Sequence, residues 1–467
     1  MGKKRLFSLL CMLFIAAALL MRIAFITSES LWGDENFTVR FVEGSMGGII
    51  QKTIHDVHPP LYFIVMHFWT GAFGFSEAAL RIPSVISSLA AIFVFYLLCR
   101  RLGLDALLGT TLFALSLSGL VYAHEARSYS ILILFIVAAW YYLAGIMIQN
   151  KGYFGYGVMN VLMIYTHVLG LAVFAITTAF VVFSVPKNMF FGKKFVYAIV
   201  LPAVLFLPWL PAFFIQIRDF LPLILERLAL NTNGIVTPVI FWVLFAGGGF
   251  FCAAAVLWKV FNGDQFSLLH LYGIRVKHLQ KYALFIVIIW IVFFISMYNL
   301  FAATTPFVRY LLFMQPLAYL VLAHIVEKKK YLAVILMVFS VVLLAVNAST
   351  IDRFDWRNAT SYALSFDDGE TIYAFDRAGS SIFLLQYYSE HRVDERILKL
   401  YVEAVDGNDI LYPIEELDAG QRYVLIVSKT RGEASEYEAY LRTTHQVAAE
   451  KEFKDINIII FEPIGLR

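Results

Sequence analysis

Tyr122-Ala123-His124-Glu125-Ala126-Arg127-Ser128-Tyr129 is followed at once by Ser130-Ile131-Leu132-Ile133-Leu134-Phe135-Ile136-Val137-Ala138-Ala139-Trp140. The apolar run continues to about residue 149, enough as a helix to cross a hydrocarbon layer of about 30 Å. The charged turn before it must then sit at one face of that layer. Runs of about 17–25 apolar residues recur from Leu6 to Val346. The composition agrees: 60% of the 467 residues are hydrophobic and 15% charged, and the mean hydropathy is +0.74. A soluble chain of this length is not so apolar. We therefore expect a mainly α, polytopic membrane protein with about eleven crossings. The expected spans lie near 6–26, 78–99, 105–123, 129–149, 153–166, 168–185, 195–214, 236–258, 282–301, 307–325 and 331–348.

From about Thr350 the charge density rises to that of a soluble protein, so 1–349 reads as the membrane part and 350–467 as an appended domain. Short β-rich runs there, Thr371 to Phe375, Ile397 to Tyr401, Tyr423 to Val427 and Ile456 to Phe461, alternate with helix-like stretches, Ser380 to Glu390 and Glu433 to Leu441. That alternation predicts a small α/β domain. It has no Gly-rich phosphate loop, so no nucleotide cofactor is expected. Acceptor docking or bracing of the outer loops are the roles left to it.

Charge sets the orientation. With a cytoplasmic N-terminus, the inner connections hold Arg100-Arg101, Lys151, Lys187, Lys193-Lys194, Lys259 through Lys281, and Lys328-Lys329-Lys330, as the positive-inside rule requires. Counting Pro59 to Phe75 as a full span would reverse every later loop. It is read instead as a juxtamembrane or re-entrant helix on the outer side, in the first outer loop of about 27–77, with Trp69 as its interfacial anchor. The N-terminal Lys3-Lys4-Arg5 and its apolar run lack a small-x-small cleavage site and read as an uncleaved first helix. Cys11, Cys99 and Cys252 lie in or beside apolar segments, without metal-like spacing or a disulfide framework. The net charge of +3 has no basic stripe and gives no support for a nucleic-acid partner.

This topology collects the ionisable segments on the non-cytoplasmic face, which in a membrane chain is a functional-site hypothesis. The first outer loop carries Trp32-Gly33-Asp34-Glu35. A carboxylate there can take the proton of an attacking hydroxyl or amine, or hold a cation against a phosphate; otherwise adjacent loop acids are simply solvated. His55-Asp56-Val57-His58-Pro59-Pro60-Leu61-Tyr62 follows, with two prolines fixing where His58 points at a helix start. Such a histidine donates to a phosphate oxygen, binds metal, or only caps the turn. Glu125 and Arg127 either pair and brace their turn, or Arg127 presents a guanidinium fork to a phosphate. Arg309, at the outer end of the tenth expected span, is a further phosphate ligand or a snorkelling cation. His167 is read as a packed, hydrogen-bonded histidine.

The ordered set Trp-Gly-Asp-Glu, His-Pro-Pro-Leu-Tyr-Phe, Ser76-Glu77-Ala78-Ala79-Leu80-Arg81-Ile82-Pro83-Ser84, Glu-Ala-Arg-Ser-Tyr, Arg309-Tyr310 and Asp355-Trp356-Arg357 resembles the GT-C glycosyltransferase superfamily. Within it the chain resembles the branch of protein O-mannosyltransferases and the lipid A aminoarabinose transferase. The resemblance implies an inverting transfer from a polyprenyl-phosphate-linked sugar to an extracytoplasmic acceptor, whether protein, lipid or cell-envelope glycan, by a multi-pass protein of the plasma membrane. By position it implies Asp34 as the catalytic base and Glu35 and Glu125 as second acids. His58, standing where the aminoarabinose transferase has a lysine, would contact the donor phosphate with Tyr62, Arg127 and Arg309. The zinc-binding glutamate of that enzyme is replaced here by Val57, leaving Asp56 or His55 to hold a divalent cation. There is no Trp-Trp-Asp-Tyr-Gly motif, which argues against an oligosaccharyltransferase. The alternatives are a transporter or flippase of lipid-linked sugars, against which stand the lack of an internal repeat and the gathering of charge at one face, and an outer-face scaffold or sensor with degenerate chemistry.

Overall fold

A computed structural model describes residues 3–184, 194, 196–229, 313, 315–327, 329–350, 355–376, 382–399, 401–402, 410–411, 417–428, 436–453 and 456–464. The chain divides into two compact units, one of residues 1–26 and 41–348, the other of residues 27–40 and 349–467.

The first unit is helical. Its helices are α1 (Lys3–Ala24), α3 (Met46–Ile54), α4 (Leu61–Phe73), α5 (Glu77–Leu102), α6 (Ala106–Ala114), α7 (Leu117–Val121), α8 (Tyr129–Gln149), α9 (Tyr153–Thr166) and α10 (Val168–Ser184). After a π turn at Val196–Val200 come α11 (Leu201–Phe206), a 3-10 turn Leu207–Trp209, α12 (Leu210–Ala229), α13 (Gln315–Val326) and α14 (Lys330–Thr350). α2 (Gly33–Val42) begins in the second unit.

Among the described residues, α1, α5, α8 and the run Tyr197–Asp219 are long and apolar enough to cross a membrane. The expected spans at 236–258 and 282–301, with the first part of 307–325, lie outside the described residues, and the rest of 307–325 falls in α13. α5 and α8 pack along one another. At one end of the pair, Arg101 donates to the Tyr141 carbonyl and hydroxyl, both at 2.9 Å, and lies 3.7 Å from that ring. Leu9, Leu13 and Leu20 of α1 and Ile335, Val338 and Phe339 of α14 are exposed, as suits surfaces that face lipid.

One expected span is corrected. The run 105–123 is not a continuous helix but bends by 64° between α6 and α7. Ser116 adopts an extended conformation at the break, and its hydroxyl accepts from Gln315. Beside it lies Arg22, 1% exposed, which donates to Ser88 Oγ at 2.9 Å and to the Ala18 carbonyl at 2.8 Å. Burying these polar groups requires partners: α5 and α1 supply those of Arg22, and the break in the helix supplies the Ser116 hydroxyl to Gln315.

The second unit carries α15 (Trp356–Leu364), β1 (Ile372–Asp376), α16 (Ile382–Tyr388), β2 (Ile397–Lys399), β3 (Tyr401–Val402), β4 (Ile410–Leu411), β5 (Tyr423–Ser428), α17 (Glu436–Thr444), β6 (His445–Phe453) and β7 (Ile456–Pro463). Five strands form a mixed sheet in the order β2-β1-β5-β7-β6, with β1 parallel to β2 and β5, and β7 antiparallel to β5 and β6. Tyr437 and Leu441 of α17 pack with Ala374, Leu425, Ile459 and Phe461 on one face. Tyr373, Phe375, Val424 and Ile426 point to the other and are also buried, which explains why these strands read as continuous apolar runs.

Candidate active site

The loop between α3 and α4 is built by its own sequence. Ser45 caps the start of α3 by accepting from Gly48 N–H at 3.2 Å. Past the helix end, Asp56 turns back on the chain. Its Oδ2 accepts the His58 backbone N–H at 3.1 Å and the His58 Nδ1–H at 2.9 Å. The first bond is an Asx turn, the local geometry for which aspartate is suited. The second fixes the ring, so Nε2 is the nitrogen that can reach a substrate. Pro59 and Pro60 then start α4. Burial pushes the Asp56 carboxyl up, but the bonds from His58 and the charges of His58 and Arg127 outweigh it and hold Asp56 below its ordinary value.

The His58 ring meets the edge of His167 at 4.7 Å between centroids, and His167 in turn lies 5.7 Å from Tyr129. His167 is 1% exposed, and its Nδ1 accepts from Leu169 N–H at 3.1 Å at the start of α10. It is the packed histidine that its position led us to expect. Glu125 and Arg127 are buried in the turn before α8. Ser84 of α5 holds that turn by donating to the Glu125 carbonyl at 2.5 Å, and Ser130 donates to the Tyr122 carbonyl at 2.8 Å. Tyr62 is buried in the first turn of α4. Asp56, His58, Arg127 and His167 thus form one cluster; Arg309 lies outside the described residues.

Next to this loop is an apolar cavity of about 520 Å³. Ile50 and Ile54 of α3, Pro60 and Leu61 at the start of α4, Trp209, and Ile215 of α12 form its walls. Gln216 ties α12 to α3 by donating to the Thr53 carbonyl at 2.8 Å, and His55 Nδ1–H donates to Asp219 Oδ2 at 2.9 Å. Trp209 is 7% exposed, and its indole N–H has no hydrogen-bond partner among the described residues. The cavity therefore offers apolar walls, and Pro60 in its wall is two residues from His58.

Asp34 and Glu35 belong to the second unit, in the first turn of α2, the helix end that favours negative charge. The Trp32 carbonyl accepts the N–H groups of Glu35 and Asn36, both at 3.0 Å. In return Glu35 Oε2 accepts Trp32 N–H at 3.3 Å, closing the helix start as in a capping box. Glu35 is fully buried in that structural task, while Asp34, in the same turn, is partly exposed.

The metal expectation does not fit these donors. Asp56 and His58 are engaged with each other and His55 with Asp219. Among the described residues no three His, Cys, Asp or Glu side chains converge on a common point. Two features escaped the sequence reading: the Asp56–His58 pair, for which the Asp-x-His spacing was the available signal, and the cavity at Trp209, for which there was none.

Residues 57–211 match the family model described as dolichyl-phosphate-mannose-protein mannosyltransferase. The matched segment, about a third of the chain, runs from the loop of His58 through the turn of Arg127 to the wall of the cavity. The chain resembles the GT-C glycosyltransferases, in the branch read from its motifs. Two crystal structures of ArnT from Cupriavidus metallidurans, one bound to undecaprenyl phosphate and one in the apo state, align with 96% of this chain and 97% of theirs. Each is 14% identical to it, with TM-scores of 0.44 and 0.41. No curated protein sequence matches the chain significantly.

Proposed function

We propose that the protein is an inverting glycosyltransferase that moves a sugar from a polyprenyl-phosphate donor to an acceptor on the extracytoplasmic side of the plasma membrane. The observation that carries this reading is the mannosyltransferase match across residues 57–211, which includes His58, Tyr62 and Arg127 and part of the wall of the apolar cavity. The apolar cavity suits the isoprenoid chain beside the phosphate. The charge-derived topology supports the sidedness.

In this mechanism the acceptor oxygen or nitrogen attacks the anomeric carbon while Asp34 takes its proton. The bond from that carbon to the phosphate oxygen breaks, and its electron pair leaves with polyprenyl phosphate. The phosphate gains negative charge as the bond breaks, so cations beside it bind the transition state more tightly than the donor. Arg127 and the protonated His58 ring, whose Nδ1–H Asp56 accepts, supply that charge in the first unit, and Arg309 is a further candidate. Tyr62 and Glu125 line the same region, Glu125 toward the acceptor.

The test is to incubate the purified protein with a panel of polyprenyl-phosphate sugars and candidate acceptors and to measure free polyprenyl phosphate. Release with at least one donor is the expected result. Movement of intact lipid-linked sugar across a bilayer, with no release from any donor, would identify a flippase instead.

A further inference from the structure

The appended α/β domain shares its compact unit with residues 27–40, the segment that carries Asp34. More than three hundred residues of sequence separate the two, so chain connectivity does not explain the association. The contacts are specific and consecutive. The Arg357 backbone N–H donates to Ser30 Oγ at 3.1 Å, and Leu31 N–H donates to the Tyr388 hydroxyl oxygen at 2.6 Å. Arg357 Nη2 also reaches the Thr27 carbonyl at 3.4 Å and the Glu29 carbonyl at 3.5 Å. Ser30 is 5% exposed and Leu31 fully buried, so these bonds lie where losing a partner is costly. The longer guanidinium contacts are exposed and contribute less.

Asp355, Trp356 and Arg357 divide the work. Asp355 caps α15, its Oδ1 accepting Asn358 N–H at 3.4 Å and its Oδ2 the Asn358 amide at 2.8 Å. Trp356, 3% exposed, anchors the helix in the core. Arg357 is thereby presented to residues 27–30. Tyr388 closes α16 and holds the next residue, Leu31. Gly33 then begins α2, so Asp34 follows the last held residue by less than one helical turn.

We infer that the α/β domain serves to position the catalytic aspartate, with Tyr388 and Arg357 as its positioning residues. The inference rests on the reading of Asp34 as the base. A docking platform for the acceptor would need no hydrogen bonds to Thr27, Glu29, Ser30 and Leu31; a domain that fixes a base needs them, because a displacement of about 1 Å costs about a hundredfold in rate.

The experiment combines hydrogen exchange with kinetics on the full-length protein. In Tyr388→Phe and, independently, Ser30→Ala, exchange across residues 27–34 should accelerate about tenfold, while β1 and β5 keep their protection. The kcat should fall about tenfold with the donor KM unchanged, and Arg357→Lys should retain more activity than Arg357→Ala. Unchanged exchange at 27–34 in both variants, or faster exchange with unchanged kcat, overturns the inference. If Asp34→Asn were fully active while exchange responded as described, the catalytic reading would fall and the hold on the segment would stand, so the two failures are distinguishable.

Discussion

Replacing Asp56 by asparagine keeps the side-chain shape and removes its charge, which isolates what the carboxylate does for His58. In the native protein Asp56 Oδ2 accepts two bonds from His58, at 2.9 Å from the ring and 3.1 Å from the backbone. The side chains are 26% and 12% exposed for Asp56 and His58, so solvent screens the pair only in part. Hydrogen bonds to a charged group contribute about 1.5–3 kcal/mol and neutral ones about 0.5–1.5. The exchange of carboxylate for amide should therefore cost the imidazolium about 1–1.5 kcal/mol, or about tenfold in kcat/KM. Asp56→Ala, which also releases the ring, should cost about a hundredfold. The assay is release of free polyprenyl phosphate by purified protein at varied donor concentration. In a His58→Gln background the same Asp56→Asn change should cost almost nothing, because its effect passes through the imidazole. An undiminished kcat/KM for Asp56→Asn, or an equal loss in both backgrounds, would refute the reasoning.

Two further outcomes follow from other parts of the molecule. Ala212 lines the apolar cavity, so Ala212→Trp should raise the KM for a long-chain donor about tenfold and leave a short-chain soluble analogue nearly unaffected, because a blocked pocket forfeits the burial of apolar chain; equal effects on both donors would place the isoprenoid elsewhere. In the second unit the hydrogen bonds from Arg396 hold the Asp367 carboxyl below its ordinary value. A depressed folded-state value means the pair stabilises fully above the unfolded value of about 3.9 and is lost as pH falls through the lower folded one. Thermal midpoints measured from about pH 6 down to about pH 2 should show an acid-side fall that Asp367→Asn reduces.

The long elements were legible because their length and apolarity are properties of contiguous sequence. α5 and α8 were expected near 78–99 and 129–149, and β1, β5 and β7 within two residues of where they occur. The break at Ser116 was not legible: neither proline nor glycine marks it, and its cause is tertiary, the burial of Arg22 and Gln315 against it. β6 was missed for a different reason. It is an edge strand paired only with β7, exposed along most of its length, and its sequence from His445 to Phe453 is polar. Among the candidate residues, His58, Arg127 and Asp34 were visible as residue types in unusual places. Whether Asp56 would face a cation or His58 depended on side-chain direction, which spacing leaves open. The grip of Tyr388 and Arg357 on residues 27–31 joins distant parts of one chain, and no local pattern encodes it.

The proposed role of Asp34 in removing the acceptor proton is tested most directly by the turnover of purified Asp34→Asn, folded and expressed like the native protein, with the donor and acceptor that the native protein uses. Release of polyprenyl phosphate should fall to background while donor binding persists. Near-native turnover by Asp34→Asn would contradict that role.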